Sequence, residues 1–319
     1  MKSAKTIQPS FKDPDIYRLY DSLTVTHSTY ADLGDSLSVG PIRLDKLGMY
    51  LIRKGSARAS INFVEYDFYA GDALFITPIL ISQIVTVSED VEIYSLLLDF
   101  EIFKEFRIPI CRICYMDPIQ SNRNIKSSFN PQQAERLVVY MENLEFQNTT
   151  KGNNITLQEK IIQTTLMLVF YELSNEMHSS PAYDQTNFER KNRIVLDFLS
   201  TASIEFKGNH KVQYYADKLF ISRKHLSRIV KEITGNGPKA ILDELVISEA
   251  VVLLHNTNMS VKEVMSELGF MDFGAFSKFF KSFMGVSPLT YRKQRVSNNT
   301  EQESIPKISR RAGPSLALR

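Results

Sequence analysis

A few side chains have types and spacings that bear on chemistry. Cys111 and Cys114 stand in "CRIC", the spacing of half a zinc site or of a redox pair. They are the only two cysteines in 319 residues, so no second pair exists to complete a four-ligand site. The pair reads as two unrelated thiols of a reducing compartment. Residues 36 to 100 contain no histidine, the nearest upstream being His27, so neither metal nor cofactor is expected there. No nucleophile with a base and no acid/base pair stands out, and no enzyme is predicted. What remains is cationic: "SRKHLSR" from Ser222 and "GAFSKFFK" from Gly274 place Arg, Lys and Ser where a polyanion could be held.

Charge supports that reading once it is divided. The net charge of +2 conceals roughly −6 over residues 1–186, about +5 over 187–293 and about +3 over the last stretch. A length of 319 residues with 43% hydrophobic content suggests two cores plus connecting structure. No run of eighteen apolar residues occurs, and "MKSAKTIQPSFKDPD" lacks the apolar block of a secretory signal, so the chain is expected to be soluble and cytoplasmic, without a membrane partner.

Residues 36–100 read as short β-strands. In "SARASINF", Ala57, Ala59, Ile61 and Phe63 alternate with Ser56, Arg58, Ser60 and Asn62, which gives a strand two distinct faces. "LFITP", "SQIVTVS" and "VEIYSLLLDF" follow, bounded by Gly, Pro, Asp or Ser, as in a small barrel or a double-sheet jelly roll. Arg53, Arg58, Tyr66 and Tyr94 are candidates to line a pocket in it. Helices begin at "NPQQ", where Asn130 caps, Pro131 takes the first turn and Gln133 completes a capping box, and at "TLQE", where Thr156 and Glu159 fit the same pattern. The apolar run "IIQTTLMLVFYEL" needs more than one neighbour, either the β-half or a partner subunit. "SSPAYDQTN", residues 179–187, has linker composition and marks the boundary.

The basic part repeats itself. "VQYYADKLFISRKHLSRIVKEITGNGP" from Val212 lies over "VKEVMSELGFMDFGAFSKFFKSFMGVSP" from Val261. Val212 and Leu219 match Val261 and Leu268, while Ser227, Lys231, Gly235 and Pro238 match Ser277, Lys281, Gly285 and Pro288 with one residue of slip between the two helices. Each unit reads as helix, turn, helix: Ser222 caps the second helix of the first unit, Ser260 and Glu263 box the start of the second, Gly269 turns it, and Asp272 caps its last helix. Between the units, Leu242, Leu245, Val246, Ala250 and Leu253 form an apolar stripe on a connecting helix. Phe276, Phe279, Phe280 and Phe283 share one stripe about 120° wide, with Phe270 plugging the turn, so these five are the expected core of the second unit.

This repeat resembles the tandem helix-turn-helix domain of the AraC/XylS transcriptional regulators. The residues that carry the resemblance are Gly269 and Phe270, then Phe276, Phe280 and Lys281, then Gly285, Val286, Ser287, Pro288, Tyr291 and Arg292, and it covers about residues 190–293. It implies an all-α C-terminal domain with two helix-turn-helix units entering two successive major grooves about 34 Å apart. It also implies a cupin-like N-terminal β-barrel or jelly roll followed by a helical hairpin. The expected organisation is a sensor at 1–129, a linker or dimerisation hairpin at 130–180, the DNA-binding domain at 187–293 and a disordered basic tail at 294–319 with Arg310 and Arg311.

By that resemblance the reading surface is Arg223, Lys224, Ser227 and Arg228 in the first unit, which also lie opposite the stripe of Leu226, Ile229 and Val230. Its counterpart is Phe273, Gly274, Ser277 and Lys278, with Phe273 on the rim between core and DNA. Gly274 and Ala275 stand where the family often has serine and an aromatic, and Val246 where an arginine is frequent, so weak readout by the second unit is expected. The implied partners are double-stranded promoter DNA, RNA polymerase, a small-molecule effector and a second copy of the chain, acting as an activator. The alternative is a cupin-type enzyme fused to a DNA-binding module.

Overall fold

The computed structural model describes residues 20–33, 40–106, 126–150, 152–176 and 185–298. Cys111, Cys114, Arg310, Arg311 and most of the linker stretch lie outside the described residues.

Among the described residues the N-terminal half has nine strands in two antiparallel sheets. β1 (Leu23–Thr29), β8 (Glu92–Leu98), β3 (Leu47–Lys54), β6 (Asp72–Ile76) and β9 (Lys126–Ser128) form one sheet, in that order. β2 (Ile42–Arg43), β7 (Ile81–Val87), β4 (Ser56–Ile61) and β5 (Val64–Tyr69) form the other. The strands are hydrogen-bonded as two separate sheets, not as a closed barrel. Strands also begin earlier and end later than the sequence pattern indicated, with β1 before residue 36 and β9 at 126–128. In β4 the alternation holds through Ile61, but Phe63 leaves the strand: Asn62 and Phe63 have φ of 48° and 66° and close a two-residue hairpin under the Ile61–Val64 pair.

The five-stranded sheet is covered on both faces, which explains why β6 and β8 are nearly all buried and show little alternation. Its inner face packs against the second sheet through Ile52, Leu74, Ile93 and Leu97. Its outer face, with Leu23, Met49, Leu51 and Leu96, joins a core that continues through the helices into the C-terminal half. A short helix α1 (Tyr30–Leu33) follows β1, and α2 (Phe100–Glu105) follows β8.

The hairpin is α3 (Pro131–Thr149) and α4 (Ile155–Glu176). Asn130 and Gln133 form the expected capping box on α3, at 2.9 and 3.0 Å. α4 starts a residue before Thr156, because Asn154, a stronger cap than threonine, accepts from the Leu157 backbone N–H at 3.1 Å. One side of α4, with Ile162, Leu166, Val169 and Leu173, is fully buried within this chain.

The C-terminal half contains α5 (Gln185–Glu205), α6 (Val212–Lys218), α7 (Arg223–Thr234), α8 (Pro238–Asn256), α9 (Val261–Glu267), α10 (Phe273–Met284) and α11 (Pro288–Asn298). Helix α11 extends to Asn298, so the first residues of the stretch read as a tail are helical. α8 carries the predicted stripe, yet Ile241, Ile247, Ser248, Val251 and Leu254 are buried as well. The extra buried face meets the N-terminal half. The Ser248 hydroxyl donates to the Ile79 carbonyl at 2.8 Å and the Asn256 amide to the Pro41 carbonyl at 2.8 Å. Arg43 of β2 pairs with Glu249 at 2.9 Å, donates to the Pro78 carbonyl at 3.2 Å and lies over the Phe206 ring. Lys207 holds the other Glu249 oxygen at 2.8 Å.

Burial alone would raise the Glu249 carboxyl, but Arg43 and Lys207 outweigh it and hold its pKa below the usual carboxylate value. A depressed folded pKa contributes stability that is present above the unfolded value and is lost as pH falls through the folded one. Glu249→Gln is expected to cost about 3 kcal/mol by chemical denaturation at pH 7, because two cations lose their partner. The deficit relative to wild type should shrink below roughly pH 4.5. A variant as stable as wild type at pH 7 would show that this cluster does not hold the halves together.

Candidate nucleic-acid interface

The two repeats are the same structure twice. α6 and α9 both end in a turn whose next backbone N–H reaches back five residues, Ile221 to the Ala216 carbonyl and Phe270 to the Met265 carbonyl, each at 3.0 Å. The one-residue slip is Met271, an added and almost fully exposed residue between Phe270 and the cap at Asp272. Ser222 accepts from the His225 backbone N–H at 3.2 Å and Asp272 from that of Ala275 at 2.5 Å, so both second helices are capped as the sequence indicated. Ser260 and Glu263 form their box at 2.6 and 3.2 Å. α7 and α10 then end on Gly235 and Gly285 with φ of 76° and 74°, and Pro238 and Pro288 open the next helices. The repeat therefore extends into a third helix.

The phenylalanine stretch divides more sharply than its spacing implied. Phe276 and Phe280 are fully buried. Phe270, Phe279 and Phe283 are only half-buried and form a row of rings, Phe270 to Phe279 at 5.4 Å and Phe279 to Phe283 at 5.1 Å, with His210 tilted against Phe270 at 4.8 Å. The five are thus two core rings and a three-ring rim. Desolvation of His210 lowers its pKa, so it packs against Phe270 as a neutral ring.

Of the residues expected to read DNA, Arg223, Lys224 and Arg228 are exposed on α7 and Ser227 is half-buried beside them, while Leu226, Ile229 and Val230 face inward. On α10, Gly274 and Lys278 are exposed, Ser277 is half-buried, and Phe273 is 36% exposed, on the rim. Arg223, Lys224 and Lys278 have no ion-pair partner among the described residues. By contrast Lys191, Lys218 and Lys239 are each held by a carboxylate. Arg228 has Glu232 at 3.9 Å, and its guanidinium donates to His225 Nδ1 at 3.3 Å. His225, three residues before Arg228 on the same face, was absent from the expected set; that spacing is the signal which would have found it.

The pocket candidates in the β-half behave differently. Arg53 pairs with Glu135 at 3.1 Å, Arg58 with Asp67 at 2.7 Å, and the Tyr94 hydroxyl donates to Glu142 at 2.7 Å. None of these three, nor Tyr66, lines the cavity between the sheets. Ionic and hydrogen-bonding partners on the outside of the sheets claim the first three. No group of His, Cys, Asp and Glu among the described residues could hold a metal ion, and no described helix is long and apolar enough to cross a membrane.

Residues 215–294 match the family model described as "Helix-turn-helix domain". The chain is 22% identical over 293 residues to the Msm operon regulatory protein of Streptococcus mutans, covering 89% of this chain and 99% of that protein. It is 22% identical over 254 residues to the transcriptional activator RhaS of Mannheimia succiniciproducens, covering 76% of this chain and 85% of that one. With the raffinose operon transcriptional regulatory protein RafR of Pediococcus pentosaceus it shares 25% identity over 156 residues, 49% of this chain and about half (55%) of the relative. Two capped helix-turn-helix units and these relatives define a DNA-binding regulator of transcription. Its helix-turn-helix domain belongs to the AraC/XylS type that the repeat resembled.

The two turns differ in one testable respect. Gly269 has φ of 72° and its Cα faces the Lys207 carbonyl, so Gly269→Ala is expected to cost about 1–3 kcal/mol in denaturant. Phe220, the matching residue of the first unit, holds a φ of 54° while fully exposed. Phe220→Gly should therefore be neutral or gain up to about 1 kcal/mol. A loss at Phe220→Gly as large as that at Gly269→Ala would mean that Phe220 is not strained by its backbone.

Proposed function

We propose that this chain binds promoter DNA with α7 and α10 in two adjacent major-groove segments and that its N-terminal half controls how those helices are presented. The observation that carries the reading is the exposure of Arg223, Lys224 and Arg228 beside the half-buried Ser227 at the start of a capped helix, repeated as Phe273, Gly274 and Lys278 beside the half-buried Ser277. Arg228 suits bidentate contact to guanine, and Lys278 suits a phosphate. The second surface offers only Ser277 and Lys278 as hydrogen-bonding side chains, so it reads weakly, by phosphate positioning, thymine-methyl contact through Phe273 and DNA shape.

Control from the N-terminal half is supported by α8, which links the two units and rests on β2. The two sheets, read as a cupin-like sensor, enclose a cavity of about 190 Å³. β2 stands between: Ile42 lines the cavity, and Arg43 holds Glu249. A ligand on one side of this strand bears on the helix that spaces the DNA-reading helices. One relative's name refers to a raffinose operon, which makes a saccharide the first effector to try. Activation, with contact to RNA polymerase, follows the activator named among the relatives.

Dimerisation is supported by a second face of α4. Leu157, Ile161, Leu168 and Tyr171 are exposed, and at about 100° per residue they fall within one stripe roughly 80° wide. A second copy covering this stripe would bring two pairs of reading helices to adjacent sites. Ile161→Glu with Leu168→Glu is expected to convert a dimer to a monomer in sedimentation; a dimer that persists would place the interface elsewhere.

Arg228→Ala tests the DNA reading. Specific binding should weaken by about 1–3 kcal/mol and the preference at one base position should relax. Substitutions across a bound promoter site should cost most in the half read by α7. Unchanged affinity and preference would remove Arg228 from the interface, and equal losses in both halves would reject the asymmetry.

A further inference from the structure

The chemistry of the inter-sheet cavity is narrower than the effector reading requires. Its walls are mostly aliphatic and aromatic, with Ile42, Ile52, Phe68, Leu74, Ile84 and Ile93 among them. No Asp, Glu, Lys, Arg or His lines it among the described residues. An ionised ligand would lose its hydration there without a counter-charge, at a cost that excludes it. The Thr26 and Ser95 hydroxyls, which also line the space, bond to each other.

Thr24, Ser28, Ser82 and Gln83 are the other polar residues of a mostly apolar wall, and Tyr50 adds a phenol to it. Tyr50 sits on β3 between Leu74 of β6 and Ser95 of β8. It lines the cavity, and its hydroxyl has no hydrogen-bond partner among the described residues. Burial pushes that phenol up to about 12, so it is a neutral donor at any physiological pH. Tyr50 is half-buried, and its hydroxyl is open to the cavity, where a ligand acceptor can take its hydrogen bond. Volume sets the size: an apolar protein cavity of about 150 Å³ takes a benzene ring, and this one is about 190 Å³. A trisaccharide is too large for it. A monosaccharide carries more hydroxyls than this mostly apolar wall can match, and each unmatched one would lose its water at a cost.

We infer that the cavity binds a small uncharged molecule, about the size of one substituted ring, whose single acceptor takes a hydrogen bond from Tyr50. This inference rests on the effector reading above and replaces the saccharide as its ligand. β2 and the residue before it carry the consequence, since Ile42 lines the ligand space while Pro41 and Arg43 hold α8.

The test uses the full-length chain with four probes, read by calorimetry and saturation-transfer NMR: acetophenone, toluene, benzoate and glucose. Acetophenone is expected to bind, and Tyr50→Phe to weaken it about 3- to 10-fold while leaving toluene unchanged. Benzoate and glucose should not bind. Ala59→Phe, which fills the space from β4, should abolish acetophenone binding; should that variant not fold, the isosteric Tyr50→Phe comparison decides alone. Glucose binding that Ala59→Phe removes would overturn the ligand class and leave the effector reading standing. Acetophenone bound equally well by the Tyr50→Phe protein would overturn the assigned hydrogen bond. Failure of all four probes to bind would overturn this inference together with the cavity as an effector site.

Discussion

A carboxylate taken out of water must be matched by cations, and Glu249 is matched from two directions. Arg43 comes from the strand that borders the inter-sheet cavity, and Lys207 from the segment after α5. The arrangement depends on Glu249 above all, since removing it leaves Arg43 buried without a counter-charge. It therefore joins the halves by a geometry, where apolar contact alone would tolerate sliding. The hydrogen bonds from Ser248 and Asn256 to the Ile79 and Pro41 carbonyls lie along the same helix and add direction to the same contact.

Much of the DNA-binding half was readable in advance because its determinants are local. Caps at Ser222, Asp272 and Ser260, αL glycines at 235 and 285 and prolines at 238 and 288 all act within a few residues, and the repeat showed them twice. The exposed face of α7 followed from the same periodicity, and that of α10 from matching the two units. What the periodicity did not resolve was degree: Phe279 and Phe283 share a stripe with Phe276 and Phe280, yet remain half-buried because the stripe is wider than the surface that covers it.

The N-terminal half was less readable because its determinants are distant in sequence. β9 joins the sheet across more than fifty residues, pairing Ser128 with Asp72. β8 hides its alternation because helices cover one face and the second sheet the other. Arg53, Arg58 and Tyr94 looked like pocket residues by type. Their carboxylate partners, Glu135, Asp67 and Glu142, are what draw them outward, and no pattern along the strand reveals such a pairing. Tyr50 carried no sequence signal at all: a tyrosine on a strand is ordinary until its hydroxyl is found without a partner.

The two faces of α8 place an unusual demand on one stretch of chain. A helix that is buried nearly all round has no side on which substitutions are silent, and here the two sides answer to different needs, packing of the helix-turn-helix units on one and contact with the sheets on the other. Leu242, Leu245 and Leu253 have to suit the helix-turn-helix units, while Ile247, Ser248 and Val251 have to suit Ile79 and its neighbours. Divergence in either half of the protein must therefore pass through these nineteen residues, which leaves this segment little freedom to drift.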